Sequence, residues 1–170
     1  MSLQLSGTSG VLDNSGAFIA GTAVASTSGT SIDFTSIPSW VKRVTVMLNS
    51  VSLSGSSNVK FQLGSGSVTT TGYSTSGSYN GGGNGGTTST SGFDMVGWAS
   101  SSLSLSGMIV FSTLGSNIWV GSGTFGGASQ AYTGMTGGSV TLGGTLDRVR
   151  ITTVNGTDTF DAGSINILYE

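Results

Sequence analysis

The chain reads as an all-β protein: an antiparallel β-sandwich, jelly-roll-like, with long Gly/Ser/Thr-rich loops and an extended N-terminal arm. Three observations predict it. Short apolar runs alternate with polar residues at period two, the signature of a half-buried strand. Gly/Ser turns separate these runs at roughly 8–15-residue spacing, as in sandwiches and barrels. Ala, Glu, Lys and Gln, the usual helix formers, are nearly absent between them. Gly (30), Ser (32) and Thr (23) make up half of the 170 residues, a bias that disordered chains share. The 36% of hydrophobic residues, regularly patterned, argue instead for one packed domain.

Taken in order, Met1 to Gly29 has few core-sized residues (Leu3, Leu5, Val11, Leu12, Phe18 and Ile19) and reads as an arm for attachment or subunit contact. Residues 30–170 then form the sandwich. Ala17–Ala25, Ser31–Phe34, Phe93–Trp98 and Val140–Leu142 are weak strand candidates. In Trp40–Asn49, Val44, Val46 and Leu48 share a face, and the parity then flips to Val51 and Leu53. The flip places a bulge or strand break near Asn49–Ser50. Val59, Phe61 and Leu63 form a short strand. From Leu103 to Phe111 every second position is apolar or Gly, with Ser102, Ser104 and Ser106 between. Met108 and Val110 make the second face apolar too, which predicts cover on both sides at that end. Ile118 and Val120 form a strand with Trp119 facing the opposite way. Val149 and Ile151 alternate with Arg148 and Arg150. Asn155–Gly156 predicts a type I′ hairpin turn, and Phe160, Ile165, Ile167 and Tyr169 supply the last strand.

Gly64–Gly92 breaks the pattern. Val68 is its one aliphatic residue, so it reads as a long functional or mobile loop. A second polar, Gly-rich stretch spans Gly121–Gly138 and contains Phe125, Gln130, Tyr132 and Met135.

Composition excludes much chemistry. Without Cys there is no disulfide framework, cysteine nucleophile or thiolate zinc site. Without His, imidazole catalysis and the commonest metal ligand are gone. Five basic against seven acidic residues leave no footprint for nucleic acid or an anionic membrane. No run of 18 apolar residues offers a membrane span, and the N-terminus lacks the basic and apolar regions of a secretion signal. Asp94, Asp147, Asp158 and Asp161 show no spacing diagnostic of a glycosidase pair, and Asp is a common turn residue. Serine has no histidine to activate it and no G-x-S-x-G elbow; Lys42 and Lys60 are cations that nothing ties to one. GGGNGG at 81–86 lacks the Lys and helix of a phosphate-binding loop. The sequon Asn155–Gly156–Thr157 falls on the turn. The reading is therefore a non-enzyme with no cofactor or metal.

Binding is the chemistry left open. A pyranose has an apolar face and a hydroxyl rim, which aromatic rings flanked by amides suit. Tyr73 and Tyr79 with Asn80 and Asn84, or Gln130 with Tyr132, are the candidate contact residues. Trp40, Trp98 and Trp119 read as core or subunit-contact residues. So few charges leave sheet edges without their usual guards, and Met108, Val110 and Trp119 need cover, which favours a homo-oligomer.

Two stretches carry a resemblance. DFTSIPSWVKRVTVMLNSVSLSG (Asp33–Gly55) and DRVRITTVNGTDTFDAGSINILYE (Asp147–Glu170) are similar to small tail-fibre and fibre-tip, receptor-binding proteins of tailed bacteriophages. In those an "F-x-x-IP-x-W-VKRITV" strand and a terminal "F-D-x-G-x-I-N-I-x-YE" strand bracket a variable Gly/Ser/Thr-rich middle. The matching residues are Phe34, Ile37, Pro38, Trp40, Val41, Lys42, Arg43, Val44 and Val46, then Phe160, Asp161, Gly163, Ile165, Asn166, Ile167, Tyr169 and Glu170. Together the stretches span about a quarter of the chain and include no catalytic motif.

The resemblance implies a virion protein, a homotrimer whose N-terminal arm attaches to other tail or baseplate proteins. Its distal loops would contact the host surface, where a polysaccharide or a protein would be the ligand. The leading alternative is a structural virion protein, a capsid decoration or baseplate component without receptor binding. A soluble carbohydrate-binding module or tail-associated glycan hydrolase is a third reading.

Overall fold

The structure, a computed structural model, describes residues 5–6, 10–11, 19–81, 83–97, 101–127 and 131–170. Among them there is no helix. The first strands are short: Leu5–Ser6 (β1), Gly10–Val11 (β2), Ile19–Ala20 (β3) and Val24–Ala25 (β4). Ser31–Thr35 (β5), Arg43–Leu53 (β6), Val59–Ser65 (β7) and Ser67–Val68 (β8) follow. Then come Tyr73–Asn80 (β9), Asn84–Ser89 (β10), Phe93–Met95 (β11) and Leu105–Gly115 (β12). Ile118–Gly127 (β13), Tyr132–Thr141 (β14), Arg148–Thr153 (β15) and Phe160–Tyr169 (β16) complete the chain.

Every pairing is antiparallel. The large sheet runs β10-β9-β14-β13-β12-β6-β16-β3, with β4 also on β16, and the small sheet runs β11-β7-β15-β5, with β8 on β7. Among the described residues β1 and β2 pair with each other and with no other strand. The two main sheets pack face to face, because each strand alternates apolar and polar residues and can bury one side. Rings bridge the layers. Phe61 of the small sheet stacks on Phe125 of the large one at 5.7 Å, and Phe93 meets Phe111 edge-on at 5.1 Å. Gly121 makes this approach possible, since a Cβ there would sit 2.6 Å from Phe111 and 2.9 Å from Phe93.

The flip of parity in β6 is a bulge. Against β12 the register jumps from Leu48↔Gly107 to Val51↔Leu105, and against β16 from Asn49↔Ser164 to Ser52↔Ala162. The unpaired residue is Ser50, at φ 51°.

Several expectations are overturned. Gly64–Gly92 is not a long loop: it holds β8, β9 and β10. Tyr73 and Thr75 are buried there, so aromatic and threonine side chains do the inward packing that aliphatics do elsewhere. Of Gly121–Gly138, residues 121–127 belong to β13 and 132–138 to β14. The polarity of β13 is opposite to the expectation: Trp119 and Phe125 are buried while Ile118 and Val120 are half-buried on the outer side. The larger rings win the interior because they remove more apolar area from water.

Asn155–Gly156 does turn the chain, with the Gly156 N–H on the Thr153 carbonyl at 3.2 Å. It is not a hairpin, because β15 and β16 lie in different sheets. Its Asn155 Oδ1 instead accepts the N–H groups of Thr157 and Asp158 at 3.0 and 3.1 Å. Met108 is 51% exposed, so no second layer of the described residues covers that side of β12. Within the arm, β3 and β4 lie along β16 at the edge of the large sheet. Trp98 lies outside the described residues.

Candidate functional site

The predicted contact residues do not form one constellation. Tyr73 is 3% exposed, and its phenol oxygen accepts the Leu63 N–H at 2.8 Å and donates to the Thr69 carbonyl at 3.0 Å. Burial pushes its pKa up to about 12, against the lowering pull of the Leu63 N–H. Tyr132 is also buried; its hydroxyl donates to the Val96 carbonyl and its ring stacks on Tyr79 at 5.8 Å. Burial, and then neighbouring Tyr79, pushes the Tyr132 phenol to about 12. Tyr73 and Tyr132 are thus core residues rather than surface contacts.

Asn80 and Asn84 are exposed and face each other across the β9–β10 hairpin. They occupy the positions that point away from the core, whereas Tyr79 and Tyr132 point toward it. Alternation within a strand therefore separates the amides from the rings. Gln130 lies outside the described residues.

The acidic residues are also dispersed. Asp33 makes a two-point contact with Arg150 directly opposite it, at 2.7 and 2.8 Å. Asp147 holds Arg148 at 2.7 Å and accepts the Gly66 N–H at 2.9 Å; the hydrogen bond from Arg148 leads in holding its carboxyl below the usual range. Asp158 is held low by Asn155 and by the Ser57 N–H at 2.8 Å. Asp161 accepts the Ser52 hydroxyl. Asp94 faces Lys60 across β11–β7 at 3.9 Å, both nearly buried; its Oδ1 has no hydrogen bond, and burial raises its pKa against the pull of Lys60. Each of these carboxylates is committed to an ion pair, a turn or, for Asp161, a cross-strand hydroxyl. Among the described residues no group of three or more His, Cys, Asp or Glu side chains could hold a metal ion.

The most distinctive surface is the outer face of the large sheet. β10, β9, β14, β13 and β12 lie side by side and contain no charged residue. A shallow groove of about 870 Å³ runs across them, its floor formed by Ser76, Ser78, Thr124 and Ser122, with Met108 and Met135 projecting from it. Register aligns one row straight across the sheet: Gly86, Ser78, Met135, Thr124, Met108 and Met47. The opposite face of the sandwich is different in kind. The outward positions of the small sheet carry Asp33, Lys60, Asp94, Arg148 and Arg150, matched in pairs across or beside the strands.

Part of this groove is legible in the sequence: Met108, an apolar residue out of parity in its strand, is expected to need cover. Met135 stands between Gly134 and Thr136 in a Gly-rich stretch, and the expected contact residues are aromatic and amide side chains instead. Comparison with protein-family models, with curated proteins and with solved structures returns no match to this chain.

Proposed function

We propose that the chain is a non-enzymatic tail-fibre protein of a bacteriophage virion that attaches to the host surface as a homotrimer. One observation supports this above others. The two stretches that resemble tail-fibre proteins, separated by residues 56–146, meet as neighbouring strands β6 and β16. Val46 faces Ile167, Val44 faces Tyr169, Trp40 packs on Tyr169 at 6.3 Å, and Arg43 pairs with Glu170 at 2.8 Å. The resemblance therefore describes one structural unit, with β7 to β14 forming the variable middle. The arm residues of β3 and β4 flank that unit, consistent with attachment to tail or baseplate proteins from that side.

We also read the sandwich as a jelly roll. Every passage of the chain between the main strands of the small sheet runs through the large one: β5 to β6 to β7, β9–β10 to β11, and β12–β14 to β15. A crystal structure with β15 anywhere but between β7 and β5 overturns this.

The test of function is a paired measurement. Multi-angle light scattering should give about three times 16.9 kDa, and labelled protein should bind host cells in a manner competed by isolated surface polysaccharide. Three tethered sites would raise avidity well above that of one. A monodisperse monomer at micromolar concentration, together with no cell binding, rejects the proposal.

The second reading is a decoration or baseplate protein without receptor binding. The interior positions of Tyr73 and Tyr132 favour it, because they remove two of the rings on which a sugar could stack. Immunogold imaging of virions separates the two: label on the head lattice supports decoration, label at the tail tip supports a fibre.

A further inference from the structure

We infer that the outer face of the large sheet is the surface on which a second copy of the chain docks. The inference rests on the homo-oligomer reading above and adds the place of contact.

Charge partition is the first argument. The outer face of the small sheet carries the solvent-accessible pairs Asp33–Arg150 and Asp147–Arg148, which suit it to water, beside the nearly buried pair Lys60–Asp94. Across the sandwich, five neighbouring strands offer hydroxyls, glycine, methionine, aliphatics and the two amides of Asn80 and Asn84, all uncharged. A strongly charged partner would lose hydration there without gaining a counter-charge. An equally uncharged partner loses nothing, and this chain itself presents such a surface.

Size is the second. Six strands, β10 through β6, give five gaps of about 4.8 Å, and eight residues of about 3.4 Å give the other dimension, so the face covers about 650 Å². Divided between two neighbours in a threefold assembly, three such faces bury about 1,950 Å² in all, about 650 Å² at each contact, so it is the closed assembly and not one pair that reaches the size of a specific interface. The third is the side chains themselves. Met135 is 54% and Met108 51% exposed, and the two stand above a floor of small residues into which a partner's side chains can pack. Methionine adapts its shape to a neighbour and is enriched at interface cores. In a threefold assembly this face turns toward the axis, and each copy shares it with both neighbours.

A sugar is a poorer occupant, since the groove lining holds neither an aromatic ring nor a carboxylate. An unrelated protein remains an outcome of the test.

The chain has no cysteine, so single cysteines report on one place each. Met135→Cys should react with maleimide at least tenfold more slowly in the oligomer than after dilution to monomer. Val154→Cys, in the exposed turn after β15, should react at one rate throughout. Met135→Lys should lower the mass measured by light scattering to that of one chain while leaving the far-ultraviolet circular dichroism spectrum unchanged. If the wild type is an oligomer but Met135→Cys labels freely and Met135→Lys keeps the full mass, the face is open and the assignment fails while the oligomer stands. Slow labelling that persists in the diluted monomer identifies a cover from the same chain and overturns it too. A wild type that is monomeric at all concentrations fails the homotrimer reading itself. Oligomers that form only with a different virion protein point to a foreign occupant and reject the second copy.

Discussion

The phenol oxygen of Tyr73, on β9 of the large sheet, accepts the backbone N–H of Leu63, on β7 of the small sheet, at 2.8 Å. One side chain thus straps the two layers together and satisfies a buried donor of a central strand. The same hydroxyl donates to the Thr69 carbonyl, pinning the connection between β8 and β9.

Tyr73→Phe keeps the ring and strands the Leu63 N–H. Leaving a buried donor unpaired should cost about 1–3 kcal/mol, read from urea unfolding. Alkali gives a second readout. The folded state holds Tyr73 neutral up to about 12, whereas the unfolded chain ionises near 10. Stability should therefore fall as pH rises through that window, because the unfolded state releases its proton first. Tyr73→Phe should flatten part of that slope. A variant as stable as the wild type with an unchanged alkaline slope removes the strap.

Lys60 and Asp94 make a nearly buried pair whose geometry is poor, at 3.9 Å with one carboxylate oxygen unbonded. Removing one partner should be worse than removing both. Lys60→Met should cost about 3 kcal/mol, and Lys60→Met with Asp94→Leu should return to within about 1 kcal/mol of wild type. The pH dependence has a definite sign. A carboxyl whose folded pKa is raised binds its proton more tightly when folded, so its contribution to stability declines as pH rises above the ordinary Asp value of 3.8. The Lys60→Met deficit should therefore shrink toward pH 4. Equal deficits at pH 4 and pH 7 contradict this.

Gly163 sits at φ 93° opposite the Ser50 bulge, where a Cβ would press on the Ser50 carbonyl and lie 2.6 Å from that of Asn49. Gly163→Ala should cost at least about 1–3 kcal/mol, the usual magnitude for a side chain forced into that backbone region. Moving the same substitution to Gly143, where a Cβ meets open space, should leave the melting temperature nearly unchanged. Equal melting temperatures for both variants would falsify the role of the bulge.

Much of the frame was legible. β5, β6, β7, β12, β15 and β16 fall on the predicted runs, and the bulge at Asn49–Ser50 follows from one flip of parity. The misses share a cause. β9 and β10 contain almost no aliphatic side chains, so their alternation runs through Tyr73, Thr75, Gly77 and Tyr79, which a search for branched residues does not register. In β13 two faces compete: Ile118 and Val120 outline one, Trp119, Gly121 and Phe125 the other, and only volume decides between them. Of the expected contact residues, Asn80 and Asn84 are exposed and Tyr79 is half-buried, while Tyr73 and Tyr132 are interior, because a phenol suits both a binding surface and a core that offers it a partner.

Composition and alternation suffice to make the chain all-β, to close thiol and imidazole chemistry to it, and to leave β9, β10, β12, β13 and β14 without charge. These are local properties: composition is additive, and alternation is imposed by the extended backbone. That those five strands lie next to one another as one uncharged face emerges from folding. Folding alone placed Asp33 opposite Arg150, 117 residues away in the chain, and turned Tyr73 and Tyr132 inward. Strand partners and registers are non-local choices, set when two sheets must bury their apolar sides against each other, and no window of sequence contains both sides of that contact.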